Sequence, residues 1–312
     1  AAGPASVGLQ AVNQAASPAL LVTAVSPLSS AERAGIEIDD YIVSVGDWSA
    51  STSPELSQDE IRKLLSGNEG EEVQIGVMKA RTSRKKGEQQ IQLLTLTKSS
   101  AKIPPLTSSV IDTPFGKAEY IRLHLFDRRS TDELIDVLKS MKEKEISDLI
   151  LDLRNNLGGV VQESLFASSL FFDDPKVELA YIMNSRGMYS DHDVEEFSTQ
   201  PRSPGCLLKG GHVVILTNKG TASSAELFTA ALHDNGRAVV LGENTFGKSL
   251  IQHYFPLPDG GSMKLTVAEY LTPRQRHLVR NDGLARAGGL RPDAACPARA
   301  IARDPAAATE DE

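Results

Sequence analysis

Thr217 to Gln252 reads TNKGTASSAELFTAALHDNGRAVVLGENTFGKSLIQ, and the fold turns on how it is parsed. Just ahead of it His212 to Leu216, HVVIL, is a β-branched apolar run of strand type, broken by Asn218, Lys219 and Gly220. A helix follows at once. Ser224 to His233 is rich in helix formers, and Asn235-Gly236 is a stop signal. Ser223 therefore stands at the helix N-terminus. There it has two readings: with Glu226 it fits the S-x-x-E capping box, and its hydroxyl is also placed as a nucleophile in search of a base. Lys248 is the candidate base. It follows a second apolar strand, Ala238 to Leu241, and sits in Thr245-Phe246-Gly247-Lys248, where Phe246 is expected to desolvate the amine. Burial disfavours the charged form, as a general base near neutrality requires. Otherwise Lys248 is a solvated surface lysine.

These residues resemble the carboxyl-terminal processing proteases, also called tail-specific proteases, which are serine endopeptidases with a Ser–Lys dyad. Gly220-Thr221-Ala222-Ser223-Ser224-Ala225-Glu226 matches the family's G-[ST]-A-S-A-S-E, and Thr245-Phe246-Gly247-Lys248-Ser249 matches its T-F-G-K-G. The interval from Ser223 to Lys248 is the family's. The resemblance implies Ser223 as nucleophile, Lys248 as base, Gln252 orienting the lysine and Asp234 supporting the site. Gln252 is expected on the same strand face as Lys248. Two departures stand out: Ser223-Ser224-Ala225 where the family alternates serine and alanine, which makes Ser224 the alternative nucleophile, and Ser249 in place of glycine.

Upstream, Leu149 to Leu153 (LILDL) is a buried strand running into Arg154-Asn155-Asn156-Leu157-Gly158-Gly159, and Val160 to Phe172 is helical. Glycines suit any such turn, but backbone N–H groups at a helix N-terminus can also face a developing oxyanion. The motif resembles the family's L-D-L-R-N-N-x-G-G, which implies an oxyanion hole of Gly158 or Gly159 with the N–H of Ser224. Tyr120 to Phe126 is a further strand, and Ser130 with Glu133 is a capping box opening the helix Asp132 to Lys142. Leu179 to Met183, His212 to Leu216, Ala238 to Leu241 and Met263 to Thr266 complete an alternation that reads as α/β. Asp259-Gly260-Gly261-Ser262 is a hairpin turn ahead of Met263 to Tyr270.

The first hundred residues are β-rich, with strands near Ser6 to Val12, Leu20 to Val25, Tyr41 to Val45, Val73 to Val77 and Gln90 to Thr97, and one helix, Gln58 to Leu65. Pro27 to Gly46 resembles the P-A-x-x-A-G-[IL]-x-x-G-D-x-I-x-x-[IV] stretch of a PDZ domain, with Ser30 in place of its proline and Asp39 in place of its glycine. Ser6-Val7-Gly8-Leu9 resembles its carboxylate-binding loop, whose N–H groups receive a peptide's C-terminus while the peptide adds as a strand. The expected organisation is a PDZ-like domain over residues 1–99, a linker over 100–118, an α/β serine protease domain over 119–293 and a disordered tail over 294–312.

The chain has 312 residues, 40% hydrophobic and 24% charged, with a net charge of −8. That balance argues against nucleic acid, whose phosphates need clustered Lys and Arg; the one basic cluster, Arg81 to Lys86, reads as a hairpin tip. No apolar run reaches membrane-span length, and AAGPASVGLQAV lacks the shape of a secretory signal, which fits a mature or trimmed chain. Cys206 and Cys296 allow one disulfide at most. No metal or small-molecule cofactor is implied. The resemblance implies protein substrates with free apolar C-termini, membrane proteins among them, cleaved near that end. Its thylakoid-lumen members trim the photosystem II reaction-centre protein; the lumen of the chloroplast is the expected compartment, with the bacterial periplasm as alternative. An inactive PDZ scaffold that binds C-terminal peptides is the alternative function.

Overall fold

A computed structural model describes residues 5–14, 17–52, 55–79, 91–100, 103–184, 194–198, 205–258, 260–279 and 288–296. The chain divides into two compact units, Ala1–Ile103 and Pro104–Glu312. The basic cluster Arg81 to Lys86, Asp259 of the hairpin turn and residues 297–312 of the expected tail lie outside the described residues.

The first unit contains β1 (Ala5–Ser6), β2 (Leu9–Gln14), β3 (Ser17–Val25), α1 (Ser30–Arg33), β4 (Tyr41–Val45), β5 (Trp48–Ser49), α2 (Gln58–Leu65), β6 (Ser66–Gly67), β7 (Glu72–Met78) and β8 (Ile91–Thr97). The main sheet runs β2-β3-β4-β7-β8, with β5 on β4, and β1 pairs separately with β6. Alternation along the strands buries Leu20, Val22, Ile42, Ile75 and Val77 on one face, over which α2 contributes Ile61 and Leu65. A capping box starts α2: Ser57 Oγ accepts from the Glu60 N–H at 3.3 Å, and Glu60 Oε2 accepts from the Ser57 N–H at 2.7 Å.

The expected single strand from Ser6 to Val12 is two. Gly8 turns the chain at φ 80°, where a Cβ would lie 2.1 Å from the Ser29 Cβ. Asp39 takes φ 73°, the left-handed conformation that explains a glycine preference there and that a short polar side chain tolerates.

The second unit contains β9 (Leu106–Thr113), β10 (Gly116–Leu123), α3 (Ser130–Glu143), β11 (Asp148–Asp152), α4 (Val161–Ser169), β12 (Glu178–Asn184), β13 (Val194–Ser198), β14 (Val213–Thr217), α5 (Ser224–Asp234), β15 (Val239–Gly242), β16 (Leu250–Pro256), β17 (Ser262–Leu271) and β18 (Ala294–Ala295). One sheet has the order β18-β15-β14-β11-β10-β9, parallel except for the β9 edge; a second, antiparallel, runs β13-β12-β17-β16. Leu149, Leu151, Val213, Ile215 and Val240 fill the core of the parallel sheet, against Leu134 and Leu138 of α3, Leu165 of α4 and Phe228 of α5. Helices α3, α4 and α5 lie in the crossovers β10 to β11, β11 to β14 and β14 to β15, as parallel pairing requires a long connection.

Four expectations are corrected here. The stretch expected as linker, 100–118, holds β9 and the start of β10; β9 is an edge strand of alternating exposure, with Ser108, Val110 and Asp112 on its exposed face, and its polar residues do not break the pairing. Leu179 to Met183 and Met263 to Thr266 belong to the antiparallel sheet instead of continuing the α/β alternation. The Ser130–Glu133 capping box is not made, because α3 begins at Ser130 itself. The Ser130 hydroxyl instead accepts from the Asp127 N–H at 2.7 Å and donates to the Leu125 carbonyl at 3.1 Å. Ala294-Ala295, placed in the tail by sequence, pairs with Leu241-Gly242.

Candidate active site

Three turns of the second unit converge at the N-terminus of α5. The first is the turn from β14 into α5. Ser223 occupies the N-cap position with φ 59° and ψ −125°, a conformation costly for a residue with a Cβ. The capping box expected with Glu226 is formed, and Glu226 Oε2 accepts from the Ser223 N–H at 2.9 Å. The two serine readings separate cleanly, for Ser223 is half-buried whereas Ser224 is fully buried and its hydroxyl lacks a hydrogen-bond partner. Of the two serines, only Ser223 is reached by solvent.

The second turn, Leu153 to Val160, packs directly against the first. Asn155 donates its N–H to Asn218 Oδ1 and Asn218 Nδ2 donates to Asn155 Oδ1, both at 2.9 Å; the Thr221 hydroxyl donates to the Leu153 carbonyl at 2.8 Å, and the Ala222 N–H to the Asn156 carbonyl at 2.9 Å. Gly158, at φ 95°, lies so close that a Cβ would meet Ser223 Cβ and Ser224 Oγ at 2.9 Å. Its N–H is occupied, donating to Asn156 Oδ1 at 2.9 Å. Gly159 is exposed. Of the two glycines, it is the one available to an oxyanion, together with the Ser224 N–H in the first turn of α5.

The third turn carries Lys248. Glu226, fully buried, accepts from the Thr245 hydroxyl at 2.5 Å, the Gly247 N–H at 2.7 Å and the Lys248 N–H at 2.8 Å as well as from Ser223. One oxygen, Oε2, holds both the Ser223 and the Lys248 N–H, so the two nitrogens can be no farther apart than those two bonds laid end to end. Burial pushes the Glu226 carboxyl above its ordinary value, against the pull of those four donors. The sequence marked Glu226 as a cap; its role as a bridge was readable only from its company, since a carboxylate in an otherwise apolar helix must collect donors.

The Lys248 side chain departs from expectation. It is exposed, and Phe246, at 39% exposure, does not enclose it. Among the described residues it makes no hydrogen bond with Ser223. Gln252 is also exposed and donates to Thr266 Oγ1 at 3.4 Å, not toward Lys248. Because β16 begins only at Leu250, strand alternation does not extend back to Lys248, and the expected shared face is not formed. Asp234 closes the far end of α5, about 16 Å along the axis from Ser223 by helical rise. There it holds Arg276 and the Arg274 N–H and meets His233, so it is a structural anchor remote from the reacting atoms.

A charge pair missed by the sequence reading lies under the second turn. Asp152, fully buried, accepts from Arg154 Nε at 2.8 Å and from the Tyr120 hydroxyl at 2.6 Å. Burial alone would raise its carboxyl, yet the Arg154 hydrogen bonds and charge, with Arg122 and Tyr120, hold it below its ordinary 3.8.

In the first unit, the loop expected to receive a carboxylate has its donors committed. The Ser6 N–H donates to the Ser99 carbonyl, the Val7 N–H to the Leu65 carbonyl, each at 3.1 Å, and the Gly8 N–H to Ser6 Oγ at 3.2 Å. Leu9 opens β2, an edge of the sheet that packs beside α2. That edge, rather than Ser6-Val7-Gly8, is the open feature. Cys206 and Cys296 are both free thiols. Among the described residues no group of His, Cys, Asp or Glu is arranged to hold a metal ion.

With this geometry established, comparison with known proteins gives consistent results. The profile of Peptidase family S41 matches residues 117–295 and that of a PDZ domain residues 21–78. A carboxyl-terminal-processing protease of Picosynechococcus sp. is 30% identical over 275 residues, covering 88% of this chain and 60% of that protein. The chloroplastic carboxyl-terminal-processing peptidase 2 of Arabidopsis thaliana is 30% identical over 273 residues, 86% of this chain and 49% of its own length. The chain thus spans about half to three fifths of the curated relatives it matches. The solved structure of a photosystem II D1 C-terminal processing protease aligns with a TM-score of 0.73 and 25% identity, over 95% of this chain and 73% of that one.

Proposed function

Since the chain belongs to peptidase family S41, with a PDZ domain ahead of the peptidase domain, we propose that it is a serine endopeptidase that captures a protein's C-terminus and cleaves near it. The observation that carries the proposal is the contrast at the α5 N-terminus: an accessible Ser223 in a strained conformation, tied through one carboxylate oxygen to the backbone of Lys248, beside a Ser224 that is fully buried.

The chemistry follows from these parts. Ser223 Oγ attacks the scissile carbonyl carbon while neutral Lys248 takes its proton; the N–H groups of Gly159 and Ser224 receive the oxyanion; the proton passes to the leaving amine, and the acyl-serine ester remains. Water then attacks that ester, giving a proton to Lys248, which returns it to Ser223 as the new carboxyl terminus leaves. With the Lys248 backbone fixed beside Ser223, bringing the amine to the hydroxyl asks for rotation of a flexible four-carbon stem. Gln252, bonded to Thr266 Oγ1, orients the amine only after such a rearrangement.

Capture of the substrate is assigned to the edge of β2 beside α2, where a peptide adds as a strand. Protein substrates with free apolar C-termini, membrane proteins included, are the proposed class. The proposed compartment is the thylakoid lumen, with the bacterial periplasm as the alternative; the chloroplastic name of a relative supports the chloroplast.

Ser223→Ala and Lys248→Ala are each expected to abolish cleavage of a peptide substrate followed by mass spectrometry, while Ser224→Ala keeps measurable turnover. Full activity in Ser223→Ala would end the assignment. The exposed Lys248 and the Gln252 bond to Thr266 favour a second reading, an inactive module that binds C-terminal peptides; binding without turnover in the unsubstituted protein is its signature.

A further inference from the structure

Ser249 stands where the family's pattern has glycine directly after the lysine, and its side chain is engaged. It is 2% exposed and its hydroxyl donates to Glu269 Oε1 at 3.1 Å. Glu269 is itself only 9% exposed, and its other oxygen, Oε2, meets Nδ1 of His277 at 2.9 Å. The His277 side chain is 61% exposed. The main chain of Ser249 is tied to the same strand, since its carbonyl accepts from the Tyr270 N–H at 2.9 Å. On the other side of Lys248, the Gly247 and Lys248 N–H groups rest on Glu226. Lys248 is exposed between the buried Gly247 and Ser249.

We propose that Ser249, Glu269 and His277 form a positioning network for Lys248, one that this chain has in place of a bare glycine. The proposal rests on the reading of Lys248 as the base. A glycine after the lysine leaves the backbone its widest range of conformations. A serine narrows that range, and its charge-assisted bond to a buried carboxylate pins the segment to β17. His277, bridging backward to Leu271 and held at Oε2, fixes the carboxylate's rotation so that Oε1 faces Ser249. An exposed, flexible amine then departs from a fixed origin, and fewer of its arrangements miss Ser223 Oγ. None of the three residues touches the substrate or the reacting atoms; they act through Lys248.

The test uses the full chain with Ser249→Ala, Glu269→Leu and Glu269→Gln. Ser249→Ala and Glu269→Leu are expected to lower kcat roughly tenfold, the scale of a sub-ångström misplacement, with KM within about twofold. In Glu269→Gln the amide oxygen still accepts the Ser249 hydroxyl, so kcat returns to within about threefold of the parent. Hydrogen exchange of the peptide spanning Gly247 to Ile251 is the second readout: faster in Ser249→Ala and Glu269→Leu, unchanged in Glu269→Gln. Unchanged exchange in Ser249→Ala overturns the network, and so does a Glu269→Gln protein as slow as Glu269→Leu. Because exchange is read without turnover, a protein that proves inactive fails the peptidase reading and still tests the network. Should Ser249→Ala not fold, Ser249→Gly carries the same comparison.

Discussion

At the scale of single residues, Glu226 is where fold and chemistry meet. Its carboxylate has four donors, and two of them belong to the proposed nucleophile and base. Glu226→Gln replaces one accepting oxygen by a donor, so two of the four bonds are lost. At about 1.5–3 kcal/mol for each bond to a charged group, the expected cost is about 3–6 kcal/mol in chemical denaturation. Turnover falls further than stability explains, because the Ser223 and Lys248 turns are no longer held by one group. Normal kcat in a Glu226→Gln protein that is still folded would remove the bridge from the mechanism. Asp152 gives a pH signature of known sign. Its carboxyl is held below its ordinary 3.8 in the fold, so its contribution to stability is fully present above that value and is lost as pH falls through the lowered one. Asp152→Asn should remove this acid-limb component, and at neutral pH should cost about 3–5 kcal/mol by leaving Arg154 unpaired; an unchanged acid limb in urea titrations across pH 2 to 5 would contradict the pairing. Of these residues the sequence made Ser223 and Lys248 legible, through motif spacing. It could not convey that Lys248 faces solvent, because desolvation depends on what packs against Phe246, which is a tertiary fact.

At the scale of elements, the site is a meeting of turns, and turns are where sequence reading was strongest and weakest. The strand, Gly-Gly turn and helix around Gly158 were legible because glycines and a helix start leave local marks. What the sequence did not reveal is how tightly that turn abuts α5. Gly158→Ala places a methyl at φ 95° against the Ala222 carbonyl at 2.8 Å and the Ser223 Cβ at 2.9 Å, and neither can yield without moving the nucleophile. kcat/KM is expected to fall about a hundredfold, since a displacement of about 1 Å costs that much, with the larger part in kcat. Activity within threefold of the parent would show that the turn does not set the serine. β9 was illegible for a different reason. Its prolines upstream and its serines and threonines are the marks of a linker, and they are equally compatible with an edge strand that exposes every second residue, Ser108, Val110 and Asp112. The second, antiparallel sheet escaped because periodicity identifies a strand without identifying its neighbours. Ser130 likewise satisfied a capping pattern and then served the preceding turn, a competition that only three-dimensional partners decide.

At the scale of the whole molecule, the order of a PDZ domain and a peptidase domain in one chain was legible because each carries a motif with few rivals, and the pairing makes a claim about recognition that neither domain makes alone. A PDZ domain that reads C-termini should distinguish a free carboxylate from an amide. The committed N–H groups of Ser6, Val7 and Gly8 move that expectation onto the open edge of β2, whose backbone groups and neighbouring α2 receive the added strand. Charge-assisted hydrogen bonds to a terminal carboxylate are worth roughly 1.5–3 kcal/mol, so amidating an apolar C-terminal peptide should weaken binding about tenfold to a hundredfold. Ser223→Ala full-length protein is the reagent, because capture does not need the nucleophile and the peptide survives the titration. Calorimetry on a matched pair of peptides, identical but for the terminal amide, reads the difference directly. Leu9→Asp, which places a charge at a position 8% exposed at the start of β2, should weaken the free-carboxylate peptide more than the amidated one; if the protein remains folded by circular dichroism, that loss of discrimination locates the carboxylate near that strand. Equal binding of free and amidated peptides to Ser223→Ala would leave a peptidase whose PDZ domain recognises something other than chain ends, and the claim of C-terminal capture would fall while the serine chemistry stood.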